Sequence, residues 1–329
     1  MLALYHLTLT NDQLSYELSV INTNVYIKDF GVYHDKWIKR EVSELKKDYD
    51  FIAKKEKKIL VTANISAGKS TLINCLIGQN LLMSSQERCT SSVRYIYEKR
   101  HTASSRQTIS FVDDNQCKEI RVDDKTTLNK DISTELYCDF GSPNQTNHEY
   151  RYCYIDTPGV NSATVKQHGT ISKNEVRKGD YDYLVYIISR PGADEEISYL
   201  RWIVENVDTE KILFVFNKLD SYRASEDSIN ESVESLKEDI KKLGINDPKI
   251  YPISGYYGLL LKEDALKEDM TEDERDELEM LTAKFSRDKY DLSVYYPEEF
   301  RYKGNAENKV LASRCGIYEL EQIIYGGKK

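Results

Sequence analysis

The stretch LVTANISAGKSTLIN, residues 60–74, constrains the fold more than any other in the chain. A short apolar run enters a loop of small residues, and the loop ends in Gly68, Lys69 and Ser70 before an apolar helical pattern begins. Strand, tight loop and helix in that order make a phosphate cradle. Backbone N–H groups of Asn64, Ile65, Ser66, Ala67 and Gly68 wrap the phosphates, Lys69 reaches the β- and γ-phosphates, and Ser70 offers a hydroxyl to Mg²⁺. The helix opened by Thr71 and Leu72 turns its positive end toward the anion. Ala63 stands where the G-x-x-x-x-G-K-[ST] pattern has its first glycine. A methyl group is tolerated there provided that φ is negative, because the steric penalty belongs to the left-handed region.

Such a cradle needs a sheet behind it. KILVTA, YRYCYID, YDYLVYIIS, KILFVFNKLD and KIYPISG are short β-branched and aromatic runs with few internal charges, as expected of strands covered on both faces. Between them DEEISYLRWIVENV and DSINESVESLKEDIKKLG read as helices. The alternation implies an α/β fold, a mostly parallel central sheet with helices on both sides. Residues 93–155 break it with VRYIYE, QTISFVDD, KEIRV and HEYRYCYI, which read as an antiparallel extension of the sheet. Apolar positions at Trp37, Ile38, Val42, Leu45, Tyr49 and Ile52 predict an amphipathic helix leading into the first strand. Residues 257–325 read as helices, including TEDERDELEMLTAKF and GIYELEQII. This divides the chain into an N-terminal helical segment, 1–56, packing on one large domain, 57–329, that closes with a helix. The first thirty residues show mixed periodicity and support no assignment.

Two further strand ends carry chemistry. CYIDTPGVN places Asp156, Thr157, Pro158 and Gly159 directly after a strand. There the carboxylate supports Mg²⁺ through water, and the Gly159 N–H faces the γ-phosphate. FVFNKLDSY ends another strand with Asn217, Lys218, Leu219 and Asp220, an N-K-x-D pattern. A carboxylate at the last position accepts from both N1–H and the 2-amino group of guanine, a donor pair adenine lacks, while the lysine stem covers the base. In YPISGYYG, Ser254 and Gly255 are placed to present backbone N–H groups to guanine O6.

Composition narrows the surroundings. A net charge of −9 over 329 residues gives no support for nucleic-acid or anionic-membrane binding through bulk charge. No run approaches the ~18 apolar residues of a membrane span, and the first twenty residues lack the basic start of a secretory leader. Six cysteines show neither a C-x-x-C pair nor a zinc spacing, which fits reduced thiols and a cytoplasmic setting.

With these residues in order, the chain resembles a P-loop GTPase, and more narrowly the dynamin-like large GTPases, especially bacterial dynamin-family proteins. ANISAGKST resembles the dynamin-type loop G-x-x-S-x-G-K-S-[ST], with Ser66 at the serine position and Ile65 where animal dynamins carry a polar residue. RCTSSVRYI resembles the dynamin switch I and makes Thr90 the candidate Mg²⁺ ligand, with Ser91 and Ser92 as rivals. Lys69 and Asp156 lie 87 residues apart, similar to the extended dynamin G domain. The resemblance covers roughly residues 57–325.

It implies a three-layer P-loop GTPase fold flanked by helices from both ends of the chain, and Mg²⁺-dependent hydrolysis of GTP to GDP and phosphate. The implied catalytic set is Ser66, Lys69, Thr90 and Gly159, with Ser70, Thr90 and Asp156 around the metal. Ser66 orients the attacking water and helps to place a monovalent cation, K⁺ or Na⁺. Two G domains pair face to face across their nucleotides. No long helical stalk follows residue 325, so membrane remodelling is not carried over; the expectation is either a G-domain fragment or a stripped-down relative, peripheral to a membrane only through a stalk or partner. The rival reading is a GTP-gated interaction module with little intrinsic hydrolysis, since neither Ala63 nor Ile65 offers a polar group to water.

Overall fold

The computed structural model describes residues 36–82, 92–102, 108–113, 116–121, 134–141, 149–160, 166–189, 191–223, 228–266 and 270–326. Its centre is one nine-stranded sheet. The strands are β1 (Lys55–Ala63), β2 (Arg94–Lys99), β3 (Thr108–Asp113), β4 (Gln116–Arg121), β5 (Glu135–Asp139), β6 (Tyr150–Asp156), β7 (Tyr183–Ile188), β8 (Ile212–Phe216) and β9 (Ile250–Pro252), in the order β4-β3-β5-β2-β6-β1-β7-β8-β9. β6, β1, β7, β8 and β9 run parallel. All five residues of β8 are buried, as are the last five of β1, which requires cover on both faces and explains their unbroken apolar runs.

The helices are α1 (Lys36–Ile52), α2 (Lys69–Ile77), α3 (Lys166–Lys178), α4 (Asp194–Asn206), α5 (Ile229–Lys242), α6 (Gly255–Ala265), α7 (Glu272–Phe285), α8 (Glu307–Arg314) and α9 (Ile317–Tyr325). α5 shows why its sequence is helical. Ser228 caps it by accepting from the Glu231 N–H, Ile229, Val233, Leu236 and Ile240 recur on the buried face, and Lys241 and Lys242 sit at its negative end.

The extension is a real departure from the parallel core, and it is richer than the sequence suggests. β2 runs antiparallel to β6 but parallel to β5, and β5 in turn pairs antiparallel with β3. β5 was not among the expected strands, nor was α3 among the expected helices. ELYCD is only five residues long and charged at both ends, so it lacks the apolar run that marks a strand.

Topology places the crevice. From β1 the chain builds one side of the sheet with β2 to β6, reaching the edge at β4 and returning to place β6 beside β1, then crosses to β7, β8 and β9 on the other. The order reverses at β1, and in open α/β sheets ligands bind outside the carboxyl ends of strands at such a reversal. The end of β1 is the loop of residues 64–68.

The first and last described helices are both tied to this body. α1 is joined through Arg100, which follows β2 and pairs with Asp48 and, at 2.7 Å, with Glu44. α9 buries Ile317, Leu320, Ile324 and Tyr325. Its Tyr325 hydroxyl donates to Leu76 O at 3.1 Å, while Lys262 of α6 donates to Cys75 O at 2.5 Å and pairs with Glu321 of α9. Side chains of α6 and α9 thereby satisfy orphan carbonyls at the end of α2, the helix that begins at the loop.

Candidate functional site

Ala63 ends β1 fully buried, and its carbonyl accepts from the Val160 N–H at 3.2 Å. It does not occupy the left-handed region. Among the described residues other than glycine, positive φ occurs at Ser66 (61°) and Lys218 (69°). One lies in the small-residue loop and the other in N-K-x-D. Left-handed backbone away from glycine costs ~1–3 kcal/mol and concentrates at functional sites, so the strain itself marks this crevice.

Gly68 is required twice over. Its φ is 88°, and a Cβ there would lie 2.5 Å from Asn217 Nδ2. That contact belongs to a staple. The Asn217 amide donates to Ala67 O at 3.0 Å, and its Oδ1 accepts from the Gly255 N–H, also at 3.0 Å. One buried side chain thus ties together the ends of β1, β8 and β9.

A second junction joins β1 to β6. Lys69, 9% exposed, forms an ion pair with Asp156, which is fully buried. Thr157 Oγ1 donates to Val61 O at 3.0 Å, and the Ile65 N–H donates to Val160 O at 3.2 Å. Ile65 packs so closely on Gly159 that a Cβ on the glycine would come within 3.0 Å of Ile65 Cγ1. The residue that offers no polar group to water therefore has a packing role: it zips the loop to D-T-P-G. From α3, Ser172 Oγ donates to Pro158 O and holds that turn from behind.

The base-side loops differ in one respect from expectation. Ser254 and Gly255 do not present spare backbone N–H groups. The Ser254 N–H donates to Cys315 O at 3.0 Å, and the Gly255 N–H is held by Asn217. The reason is local: Ser254 is the N-cap of α6, buried against the start of α9, so its backbone is consumed by packing. Its side chain instead accepts from the Tyr257 N–H at 3.3 Å and donates to Asp220 Oδ1 at 2.7 Å, orienting that carboxylate. Lys218 is exposed and Asp220 half-buried.

Ser70 and Thr71 stand half-buried in the first turn of α2 beside Lys69. Thr90 and Ser91 lie outside the described residues. Two contributors escaped the sequence reading. Lys284 of α7 donates to the carbonyls of Asp220 and Tyr222, each at 2.5 Å, clamping the segment behind N-K-x-D. Glu196, buried in the first turn of α4, takes a hydrogen bond from Tyr186 at 2.8 Å; burial pushes its carboxyl up, with Tyr186 and Asn64 acting against that shift. Only the acidic start of α4 hinted at it, and acids are common at helix starts.

For a divalent cation the donors suit Mg²⁺. A hydroxyl and one buried carboxylate are hard oxygen ligands, and this ion is commonly held by one or two carboxylates plus substrate phosphates.

Strand order, glycine-bearing loop, D-T-P-G and N-K-x-D in one crevice define a P-loop GTPase domain. Residues 59–219 match the model of the Dynamin family, so the dynamin resemblance holds over the stretch from β1 through N-K-x-D. The chain is 31% identical over 218 residues to an uncharacterised protein of the xynA 3′ region of Caldicellulosiruptor sp. (strain Rt8B.4), covering 61% of this chain and 49% of that one. It is 27% identical over 212 residues to Dynamin-like protein A of Bacillus subtilis (strain 168), covering 60% of this chain and 16% of that protein. The chain thus spans about half or less of these relatives. Among solved structures it is similar to a chain of an oligomerised bacterial dynamin pair (TM-score 0.45, 16% identity, covering 95% of this chain and 55% of that one).

Proposed function

We propose that the chain hydrolyses GTP to GDP and phosphate with Mg²⁺, and that pairing of two G domains across their nucleotides speeds turnover. The observation that carries this reading is the convergence of four strand ends, those of β1, β6, β8 and β9, on one cradle through Asn217 and the Lys69–Asp156 pair. Phosphoryl transfer asks for positioning and charge neutralisation rather than covalent chemistry. Lys69 is built to exchange its carboxylate partner for the β- and γ-phosphates, with the loop N–H groups of residues 64–68 wrapping them. Ser70, Asp156 and Thr90 would hold Mg²⁺, which when bound neutralises phosphate charge. Gly159 offers its N–H toward the γ-phosphate, and Ser66, left-handed and exposed, orients water together with a monovalent cation. Asp220, steadied by Ser254, reads guanine beneath the Lys218 stem.

GTP turnover by the wild type and by Lys69→Ala, each across a protein concentration series, tests the reading. The expected result is specific activity that rises with wild-type concentration and a variant at background. Turnover by Lys69→Ala at the wild-type level would sink the site, and wild-type activity that stays flat would remove the pairing and favour a gated module.

A further inference from the structure

We propose that the exposed face of α7 is a self-complementary docking surface for a second copy of this chain, paired antiparallel about Met280. The surface adjoins the segment behind N-K-x-D that Lys284 clamps, and the proposal does not depend on hydrolysis.

Met280 is 61% exposed, one of two large apolar side chains so exposed among the described residues. On one side of it lies an open cleft of about 400 Å³ lined by Tyr222, Arg223, Lys284, Arg287, Lys289 and Tyr290, with no carboxylate among its described lining. Four cations gathered in one cleft stand out in a chain whose net charge is −9. On the other side of Met280, toward the start of α7, the helix exposes Glu272, Asp273, Asp276, Glu277 and Glu279, five carboxylates against one exposed cation, Arg275. Glu277 takes a hydrogen bond from Tyr256 of its own chain, and Lys284 is committed to two carbonyls. Asp273 and Asp276 on the acidic side, and Arg287 and Lys289 on the basic side, are exposed.

Spacing makes the arrangement symmetric. Positions three, four and seven residues apart share one helix face, so Asp273, Asp276, Met280 and Lys284 form a single stripe, with Arg287 one residue beyond the Ser286 C-cap. An isologous two-fold contact at Met280 sets each residue against the one equally far on the other side. Asp276 then faces Lys284 of the second copy, and Asp273 faces Arg287. Every acidic position in the stripe meets a cation, twice per dimer, with the two Met280 side chains in contact at the axis. At physiological salt the Debye length is ~8 Å, so the repulsion of two acidic bodies is screened while charges in contact are not. A helix pair and a shallow cleft bury less than the ~1,200 Å² of a stable interface, so the association is weak and concentration-dependent.

Sedimentation of the nucleotide-free chain, at up to about 1 mM, tests this with two charge-reversed proteins. One carries Asp273→Lys, the other Arg287→Glu. The expected result is a wild-type dimer, at least ~10-fold weaker self-association in each reversed protein, and recovery when the two are mixed in equal amounts, since each then meets its complement. Met280→Cys should give a reducible cross-linked dimer, lost in either charge-reversed background. Wild type that stays monomeric, reversed proteins that associate as wild type does, a mixture that fails to recover, or no cross-link at 280 would each overturn the proposal. Because no nucleotide is present, failure here leaves the GTP reading standing, and failure of that reading leaves this one.

Discussion

Asn217 shows how much of the site rests on single side chains. N-K-x-D suggests base recognition, yet in the structure its asparagine is wholly occupied between Ala67 O and the Gly255 N–H. Asn217→Ala leaves both groups buried and unpartnered, a cost of ~1–3 kcal/mol each. The expected outcome is a lowered Tm together with weaker GTP affinity, because both loops lose their common support; calorimetric unfolding and a nucleotide titration check it. Unchanged stability would mean that water replaces the amide. Motif residues were legible from order along the chain, since loop, D-T-P-G and N-K-x-D are contiguous patterns. Contacts that span long separations were not, such as Lys284 with the Asp220 and Tyr222 carbonyls or Asn64 with Glu196. The Ser254 and Gly255 N–H groups misled for the same reason: their partners, Cys315 and Asn217, are distant in sequence.

Among elements, the parallel strands and the capped amphipathic helices were readable because periodicity and end signals agree. β5 and α3 were not, since a short strand with charged ends carries no run and KQHGTISKNEVRK is polar through most of its length. α9 was expected only as a closing helix, whereas the structure makes it part of the support for α2. Lys262, 7% exposed, and Glu321, fully buried, link α6 and α9 beneath the last turn of the loop helix. Removing one member of such a pair strands the other in low dielectric at ~3–5 kcal/mol, while replacing both with apolar residues is often neutral. Lys262→Met is therefore expected to destabilise the chain strongly, and Lys262→Met with Glu321→Leu to recover most of the loss in chemical denaturation. A double variant no better than the single one would show that the pair is not the operative unit.

At the scale of the whole molecule, stability carries a pH signature from Glu319. Ser313 Oγ and, at 3.4 Å, the Tyr302 N–H donate to one of its oxygens, the other is buried without a partner, and burial pushes the carboxyl up to about 7 from the ordinary 4.5. A folded-state value above the unfolded one means the native protein holds the proton more tightly. The contribution is therefore intact below about pH 4.5 and lost as pH rises through 7. At ~1.4 kcal/mol per unit the span is roughly 3 kcal/mol. Glu319→Gln should gain on the wild type in Tm between pH 5 and pH 8; a constant difference would contradict the burial argument.

The convergence of four strand ends on one guanine nucleotide is tested most directly at Asp220. In Asp220→Asn one acceptor oxygen becomes a donor and meets the guanine 2-amino group, a clash of ~1–3 kcal/mol or more, whereas xanthine carries a carbonyl at that position. A competition titration of GTP, ATP and xanthosine triphosphate against both proteins should show wild-type preference for GTP. In the variant it should show GTP affinity reduced by at least ~10-fold and xanthosine triphosphate affinity increased, with ATP rejected by both. Wild-type preference for ATP, or a variant that keeps its full preference for GTP, would contradict the account.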